Sequence, residues 1–284
     1  MTERNQPSNA DVPPPVAMLQ MISGFWISRA IYVAAKLGIA DHLRDGHRTV
    51  DELAAATGTH APSLYRVLRA LASVGVFTED EKRGFALTPL AETLQTDVPG
   101  SLRAFATVEL GEEHYPAWGE LLHSVKTGEI AFDRAFGMPV WKFFEQNPAN
   151  AKTFNDAMTG FTLAVNDAVL SSYDFSSISK IVDVGGGHGS LIASILKANP
   201  PMRGVLFDAP PVIEGARHRI GDEGIAERCE AIAGDFFESV PSGGDAYIVK
   251  WIIHDWDDER CERWKKNAGG CAAWWRISRC RSRS

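Results

Sequence analysis

The first hundred residues carry apolar positions at helical spacing, followed by two short apolar runs around a polar turn. The helical spacing predicts helical structure from Val16 to about Leu43, with a helix ending at Gly38, and shorter helices over Thr49–Gly58 and Ser63–Val74. Residues 76–78 and 85–87 flank a charged, glycine-bearing turn, which predicts a hairpin. Three helices followed by a hairpin are typical of a winged-helix domain.

The second half of the chain changes to alternating strands and helices. Residues 101–170 are predicted to be mostly helical and are rich in aromatic side chains. Four short apolar runs then predict strands at Ile181–Val184, Gly204–Asp208, Ala231–Ala233 and Ala246–Val249. Because helical patterns separate these runs, we expect a parallel α/β sheet.

These patterns divide the chain into five segments. We predict a disordered start at 1–15, a winged-helix domain at 16–100, a helical segment at 101–174, an α/β domain at 175–260 and a basic tail at 261–284. The fold class is therefore α/β, with the winged-helix domain preceding a Rossmann-like sheet of about four strands.

The composition excludes several classes of protein. The net charge of −7 disfavours a nucleic-acid partner, because phosphate binding needs a basic surface. No run of 18 apolar residues predicts a membrane span, and the polar N-terminus lacks a signal-peptide pattern. The four cysteines contain no CxxC pair, which disfavours a zinc site or a disulfide framework. We therefore expect a cytoplasmic protein without a metal.

A glycine-rich loop follows the first predicted strand of the sheet. The segment Asp183–Gly189 reads DVGGGHG, and its glycines allow a sharp turn and the close approach of a ligand. The dinucleotide pattern GxGxxG does not fit, whereas GxGxG after an acid has the spacing of an S-adenosylmethionine loop. The alternative is a tight strand–helix turn of any α/β protein.

Acidic residues end the next two predicted strands. Asp208 lies 19 residues beyond Gly189, where a carboxylate can accept both hydroxyl hydrogens of a ribose. Asp235 fits a contact with an adenine amino group, and Phe236 beside it offers an apolar face for the base. Since ligands of such sheets bind at the carboxyl ends of the strands, these features support one another.

A histidine follows the fourth predicted strand, on the same edge of the sheet as the glycine loop. His254 is a candidate general base, because histidine is the common base near neutral pH. Asp255 follows it and could influence its charge. Six other histidines are interpreted as structural or solvated, since a lone histidine usually is: His42, His47, His60, His114, His123 and His218.

Four segments make a family resemblance specific: IVDVGGGHG, FDAPPVI, AGDFF and KWIIHDWDDERC. They resemble the plant-type O-methyltransferases and their bacterial small-molecule relatives over about residues 16–261. The resemblance implies an N-terminal dimerisation domain, a homodimer, S-adenosylmethionine as co-substrate, no metal, and a small aromatic or polyketide-like acceptor that is methylated on a hydroxyl.

The resemblance also implies roles for particular residues. The residues that correspond to the family's cofactor-binding positions are Gly185, Asp208, Asp235, Phe236 and Lys250, and His254 corresponds to its catalytic base. A weaker match places Phe154, Asn155 and Met158 on the helix that forms the wall of the substrate site. The implied reaction is a direct displacement, in which the deprotonated hydroxyl attacks the methyl carbon.

The chain departs from the family pattern after Cys261. The following residues contain seven Lys or Arg and a single acid. This shift in composition indicates a truncated or frame-shifted C-terminus, which would leave the fourth strand at an open edge and impair activity; the alternative is a solvated basic tail that touches an anionic partner.

Two other functions stay open at this stage. A winged-helix regulator could bind DNA and sense a nucleotide-like ligand, although Arg66 and Arg69 are the only cations on the helix Ser63–Val74. A catalytically inactive binding partner is the second alternative.

Overall fold

The computed structural model describes residues 12–267 and 274–276 of the chain. Two units are distinguished, Met1–Ala157 and Met158–Ser284. The boundary falls inside the segment at 101–174 that the sequence predicts as one helical stretch, and the predicted domain limits stay predictions. Residues 1–11 of the segment predicted to be disordered lie outside the described residues.

The first unit begins with helices and a small antiparallel sheet. The elements are α1 (Pro14–Lys36), α2 (Ile39–His42), β1 (Arg48–Thr49), α3 (Val50–Thr57), α4 (Ala61–Ser73), β2 (Phe77–Glu79), β3 (Gly84–Leu87) and α5 (Pro89–Glu92). The strand order is β1-β3-β2. The predicted end of a helix at Gly38 is confirmed, because Gly38 adopts a left-handed conformation, with a φ of 66°, between α1 and α2.

Local sequence signals explain where α3 begins. The Thr49 hydroxyl accepts the backbone N–H of Glu52, and the Glu52 carboxylate accepts the backbone N–H of Thr49, which together form a capping box. The helix ends at Gly58, whose φ of 65° favours glycine. The helix over 49–58 is therefore confirmed, as is the hairpin, which the strands β2 and β3 form.

Six helices complete the first unit and lead into the second. They are α6 (Arg103–Glu109), α7 (Tyr115–Gly119), α8 (Leu121–Thr127), α9 (Ala131–Phe136), α10 (Val140–Gln146) and α11 (Pro148–Ser172). The residues of α11 before Met158 belong to the first unit, and the rest belong to the second.

A parallel sheet organises the second unit. Its elements in chain order are β4 (Lys180–Val184), α12 (Ser190–Ala198), β5 (Arg203–Asp208), α13 (Pro210–Asp222), β6 (Cys229–Ala233), β7 (Ala246–Val249), α14 (Asp258–Asn267) and β8 (Trp274–Arg276). The strand order is β6-β5-β4-β7-β8, and every pair is parallel. The four predicted strands are confirmed, and β4 lies between β5 and β7.

The strands are apolar on both faces. Ile181 and Ile248 contribute to one hydrophobic cluster, whereas Val182 and Val249 contribute to another. Neighbouring residues of a strand point to opposite faces, so the alternation shows that each face of the sheet is covered. This explains why these strands read as continuous apolar runs. The carboxyl ends of β4, β5, β6 and β7 lie at one edge.

The tail contributes a strand that the sequence did not predict. β8 pairs with β7 in the register Tyr247 opposite Trp274 and Val249 opposite Arg276, so the sheet has five strands among the described residues. The expectation that β7 would be an open edge strand is therefore wrong, because residues 247–249 pair with β8. Strand pairing uses backbone groups, and three residues are too few to show a period in the sequence. Residues 268–273 and 277–284 of the predicted basic tail lie outside the described residues.

The helix α1 carries an apolar face. Met21 is 75% exposed, and Leu19, Ile22, Phe25 and Trp26 are also exposed. Within the described part of the chain, α1 is the one helix whose length and composition would allow it to cross a membrane. Core helices of soluble proteins and signal sequences can have the same length and composition, so this helix alone does not assign the chain to a membrane.

Candidate functional site

The predicted glycine loop connects β4 to α12. Gly185, Gly187 and Gly189 have φ angles of 67°, 60° and 79°, a region that L side chains rarely adopt. The backbone N–H of Gly185 donates to the carbonyl of Phe207 on β5 at 2.8 Å, which holds the start of the loop against the sheet. The sequence thus uses glycine here because the backbone requires it.

Three consecutive glycines of the loop, residues 185–187, differ in what a side chain at that position would contact. A Cβ on Gly185 would lie 2.4 Å from Cδ1 of Ile252, and one on Gly186 would lie 2.7 Å from the Asp183 carboxylate. A Cβ on Gly187 would meet nothing within 4 Å. The loop therefore packs against protein at Gly185 and Gly186 and leaves open space at Gly187, where a ligand can approach the backbone.

Asp208 ends β5 and holds the loop. Its Oδ2 accepts the backbone N–H of Gly187 at 2.8 Å, and its Oδ1 accepts the backbone N–H of Ala209 at 2.7 Å. Burial raises the pKa of this carboxyl, and the two backbone donors act in the opposite direction. Each carboxylate oxygen has a second lone pair, so Asp208 can still accept the hydrogens of a diol.

Asp235 and Phe236 follow β6. Asp235 is exposed, and its Oδ1 accepts the backbone N–H of Phe237 at 2.7 Å. The Phe236 ring is half-buried and lies 4.5 Å from the ring of Phe237 and 6.1 Å from that of Trp256. A carboxylate beside a cluster of aromatic rings can receive a flat heterocycle with an amino group.

Lys250 follows the last residue of β7 and lies among protein groups. Its Nζ donates to Oγ1 of Thr162 on α11 at 2.7 Å. Burial lowers the pKa of Lys250, and the charge of Asp183 raises it. The ammonium therefore connects α11 to the middle of the sheet, and its predicted contact with the cofactor stays a prediction.

Asp183 is the site residue to which sequence reasoning gave no role. It is almost fully buried on β4, and burial raises its pKa to about 7, while Lys250 acts to lower it. Its Oδ2 has no hydrogen-bond partner among the described residues. An acid two residues before the first glycine of the loop was the available signal, but the sequence pattern alone did not show that its carboxylate is buried.

His254 lies in a single 3-10 turn, Ile253–Asp255, beyond β7. Its side chain is 52% exposed, and its Nε2 lies 3.2 Å from Oδ1 of Asp255. The neighbouring carboxylate thus faces the imidazole, and burial raises the pKa of Asp255 while His254 lowers it. Because Ile252 packs on Gly185, the turn that bears His254 is docked against the glycine loop.

The predicted substrate wall is divided between the two units. Phe154 belongs to the first, where its ring lies 4.9 Å from that of Phe144 and 6.0 Å from that of Trp141. Asn155 is half-buried in the first unit, and Met158 is half-buried in the second. Their role in binding a substrate stays a prediction.

The described residues contain no set of side chains arranged to bind a metal ion. Across residues 12–267 and 274–276, no group of three or more His, Cys, Asp or Glu is placed to hold an ion.

Two family descriptions match the chain. Residues 118–270 match an O-methyltransferase domain, and residues 19–97 match an O-methyltransferase dimerisation domain. Together they cover most of both units.

Two characterised proteins are similar along most of their length. The phenazine O-methyltransferase PhzM of Lysobacter antibioticus is 46% identical over 92% of this chain and 75% of its own. The mitomycin biosynthesis 6-O-methyltransferase of Streptomyces lavendulae is 42% identical over 84% of this chain and 69% of its own. Both are named for methyl transfer to oxygen, and neither name supports the alternative of a DNA-binding regulator.

Solved structures agree with these similarities. The crystal structure of LaPhzM has a TM-score of 0.86 at 45% identity and covers 90% of this chain and 77% of its own. The neocarzinostatin O-methyltransferase NcsB1, solved with S-adenosylmethionine and 2-hydroxy-5-methyl naphthoic acid, has a TM-score of 0.75 at 32% identity and covers 88% of this chain and 79% of its own.

Proposed function

Since the chain belongs to the family of S-adenosylmethionine-dependent O-methyltransferases, we propose that it methylates a hydroxyl of a small aromatic or polyketide-like molecule with His254 as the general base. One observation carries the assignment of residues. The glycine loop bonds to Asp208 at Gly187 and packs on Ile252 at Gly185, so the cofactor motif and the turn that bears His254 share one edge of the sheet.

The residues of this edge fit the cofactor. The open space at Gly187 lets a ligand approach the backbone, and Asp208 retains acceptor capacity for a ribose. Asp235 and the ring of Phe236 offer an acceptor and an apolar face for adenine. Lys250 is proposed to act near the same ligand, since it follows β7 directly. S-adenosylmethionine supplies an electrophilic methyl group and leaves as S-adenosylhomocysteine.

His254 is proposed to take the proton of the acceptor hydroxyl as its oxygen forms the new bond to carbon. The imidazole is half-exposed, so an acceptor can reach it. The imidazolium that forms gains a neighbour of opposite charge when Asp255 is ionised, 3.2 Å away. The proton then passes to water, and the acceptor gains one methyl group in exchange for it.

The proposed acceptor class rests on the relatives. PhzM is named for a phenazine and NcsB1 was solved with a naphthoic acid, both of which are flat ring systems.

A homodimer through the first unit is part of this proposal. The dimerisation domain matches residues 19–97, and the apolar face of α1 is exposed in the single chain. A second copy would bury Leu19, Met21 and Ile22, since exposed apolar patches of this kind mark interaction surfaces. We also propose a cytoplasmic location, which fractionation of the producing cells would test.

The experiment incubates the full chain with S-adenosylmethionine and a panel of phenols, naphthols and hydroxyphenazines. Mass spectrometry should detect a gain of one methyl group on a hydroxylated acceptor and none on the same ring system without a hydroxyl. A chain that binds S-adenosylhomocysteine but transfers no methyl group to any of these acceptors would contradict the proposed activity and support the inactive binding partner.

A further inference from the structure

Trp251 has a backbone conformation that is unusual for a bulky residue. Its φ is +61°, in the left-handed region, where the Cβ of an L residue is crowded by the backbone. Such conformations persist only when the surrounding structure enforces them, and they cluster at functional sites. Glycine would adopt this turn without strain, so the shape of the turn does not account for a tryptophan at this position.

Packing in the core does not explain the indole. Trp251 is 47% exposed, whereas its two neighbours in the chain make inward contacts. Lys250 reaches Thr162, and Ile252 fills the space beside Gly185. The left-handed turn therefore directs a large aromatic side chain to the surface between two residues that anchor the segment.

The exposed indole lies between another aromatic ring and the proposed base. Its ring centroid is 5.2 Å from that of Phe161 on α11, at an interplanar angle of 79°. It is 5.1 Å from the imidazole of His254, at 69°. These edge-to-face contacts fix the two rings relative to His254 and leave part of the indole for a further ring.

From the juxtaposition of Trp251, Phe161 and His254 we propose that Trp251 determines acceptor specificity, by stacking the flat ring of an aromatic acceptor so that its hydroxyl faces His254. This proposal rests on the proposed function and adds the residue that selects flat acceptors. An aromatic acceptor gains a stacking contact here that a non-aromatic acceptor does not.

Two substitutions separate the contribution of the aromatic ring to binding from that of the left-handed turn. Trp251→Phe keeps an aromatic ring, and Trp251→Gly keeps the left-handed turn without one. The probes are 2-naphthol and the enolic but non-aromatic 1,3-cyclohexanedione, each titrated in the presence of saturating S-adenosylhomocysteine and assayed for methyl transfer. We expect Trp251→Gly to weaken 2-naphthol binding about 10–50-fold and to change the binding of 1,3-cyclohexanedione less than threefold. Trp251→Phe should stay within about fivefold of the parent for both.

Several outcomes would overturn the proposal. Equal losses for the two probes in Trp251→Gly, with an unchanged affinity for S-adenosylhomocysteine, would show that Trp251 does not select aromatic acceptors. Losses of similar size in Trp251→Phe and Trp251→Gly would show that stacking is not the cause. Ring-dependent binding without methyl transfer by the parent would leave the role of Trp251 intact and contradict the proposed function instead.

Discussion

The backbone N–H of Gly187 donates to the carboxylate of Asp208 at 2.8 Å, so the acid at the end of β5 holds the glycine loop that follows β4. Gly187 is also the loop glycine with open space where a Cβ would stand. One carboxylate therefore sets the shape of the loop and faces the position proposed for the ribose. A substitution of Asp208 should affect cofactor binding through both.

Asp208→Ala should weaken the binding of S-adenosylhomocysteine by about 1.5–3 kcal/mol, which is the usual range for a hydrogen bond to a charged group. Asp208→Asn should lose less, because its amide oxygen can still accept one of the two backbone N–H groups. Isothermal titration calorimetry measures both affinities. Equal affinity of Asp208→Ala and the parent would contradict the assignment of Asp208 to the ribose.

Gly187→Ala tests whether the open space at the loop receives the cofactor. Alanine at a φ of +60° costs about 1–2 kcal/mol of strain, but it meets no atom within 4 Å of its Cβ. Gly128→Ala is the matched control, since Gly128 has a φ of +78°, is equally open and lies in the first unit.

Both variants should therefore lose similar stability in urea. Gly187→Ala should also lose about tenfold or more in affinity for S-adenosylhomocysteine, because the methyl group occupies the space in which the ligand approaches the backbone. If the two variants bind S-adenosylhomocysteine equally well, the open side of Gly187 does not face the cofactor.

The sequence predicted four of the five described strands of the parallel sheet, and the glycine loop, because both depend on local signals. The apolar runs of β4, β5 and β7 and the punctuation by Gly185–Gly189 are visible in the sequence. The burial of Asp183 and the contact of Lys250 with Thr162 were not visible. The burial of Asp183 depends on the direction in which its side chain points from β4, and the contact of Lys250 depends on how α11 packs against the sheet. The periodicity of apolar residues specifies neither.

Asp183 predicts a pH dependence of stability. Its pKa is raised from 3.8 to about 7 in the folded protein. Between these values the folded protein binds one proton more than the unfolded chain, so stability falls as the pH rises through this window. Over the two pH units from 5 to 7, the one additional proton bound by the folded protein changes the free energy of unfolding by about 2–3 kcal/mol.

Asp183→Asn removes the titrating group but keeps a similar shape. Its free energy of unfolding in urea should therefore fall less between pH 5 and pH 7 than that of the parent. Glu81→Gln, at an exposed turn, is the control and should follow the parent. If the parent and Asp183→Asn lose the same stability between pH 5 and pH 7, the carboxyl of Asp183 does not titrate over this window.

Variants of His254 and Asp255 separate the contribution of the general base to catalysis from that of the carboxylate beside it. His254→Ala should lower kcat about 10²–10⁴-fold with little change in the affinity for S-adenosylhomocysteine, since it removes a general base and no proposed cofactor contact. Asp255→Asn should lower kcat about tenfold, because an amide does not stabilise the imidazolium as a carboxylate 3.2 Å away does. Asp257→Asn is the matched control, as Asp257 lies two residues further and pairs with Arg260 at 3.8 Å. Steady-state rates on one hydroxylated acceptor compare the three variants. If Asp255→Asn and Asp257→Asn have the same kcat, then the carboxylate that touches His254 takes no part in the proton transfer, and the imidazole acts without it.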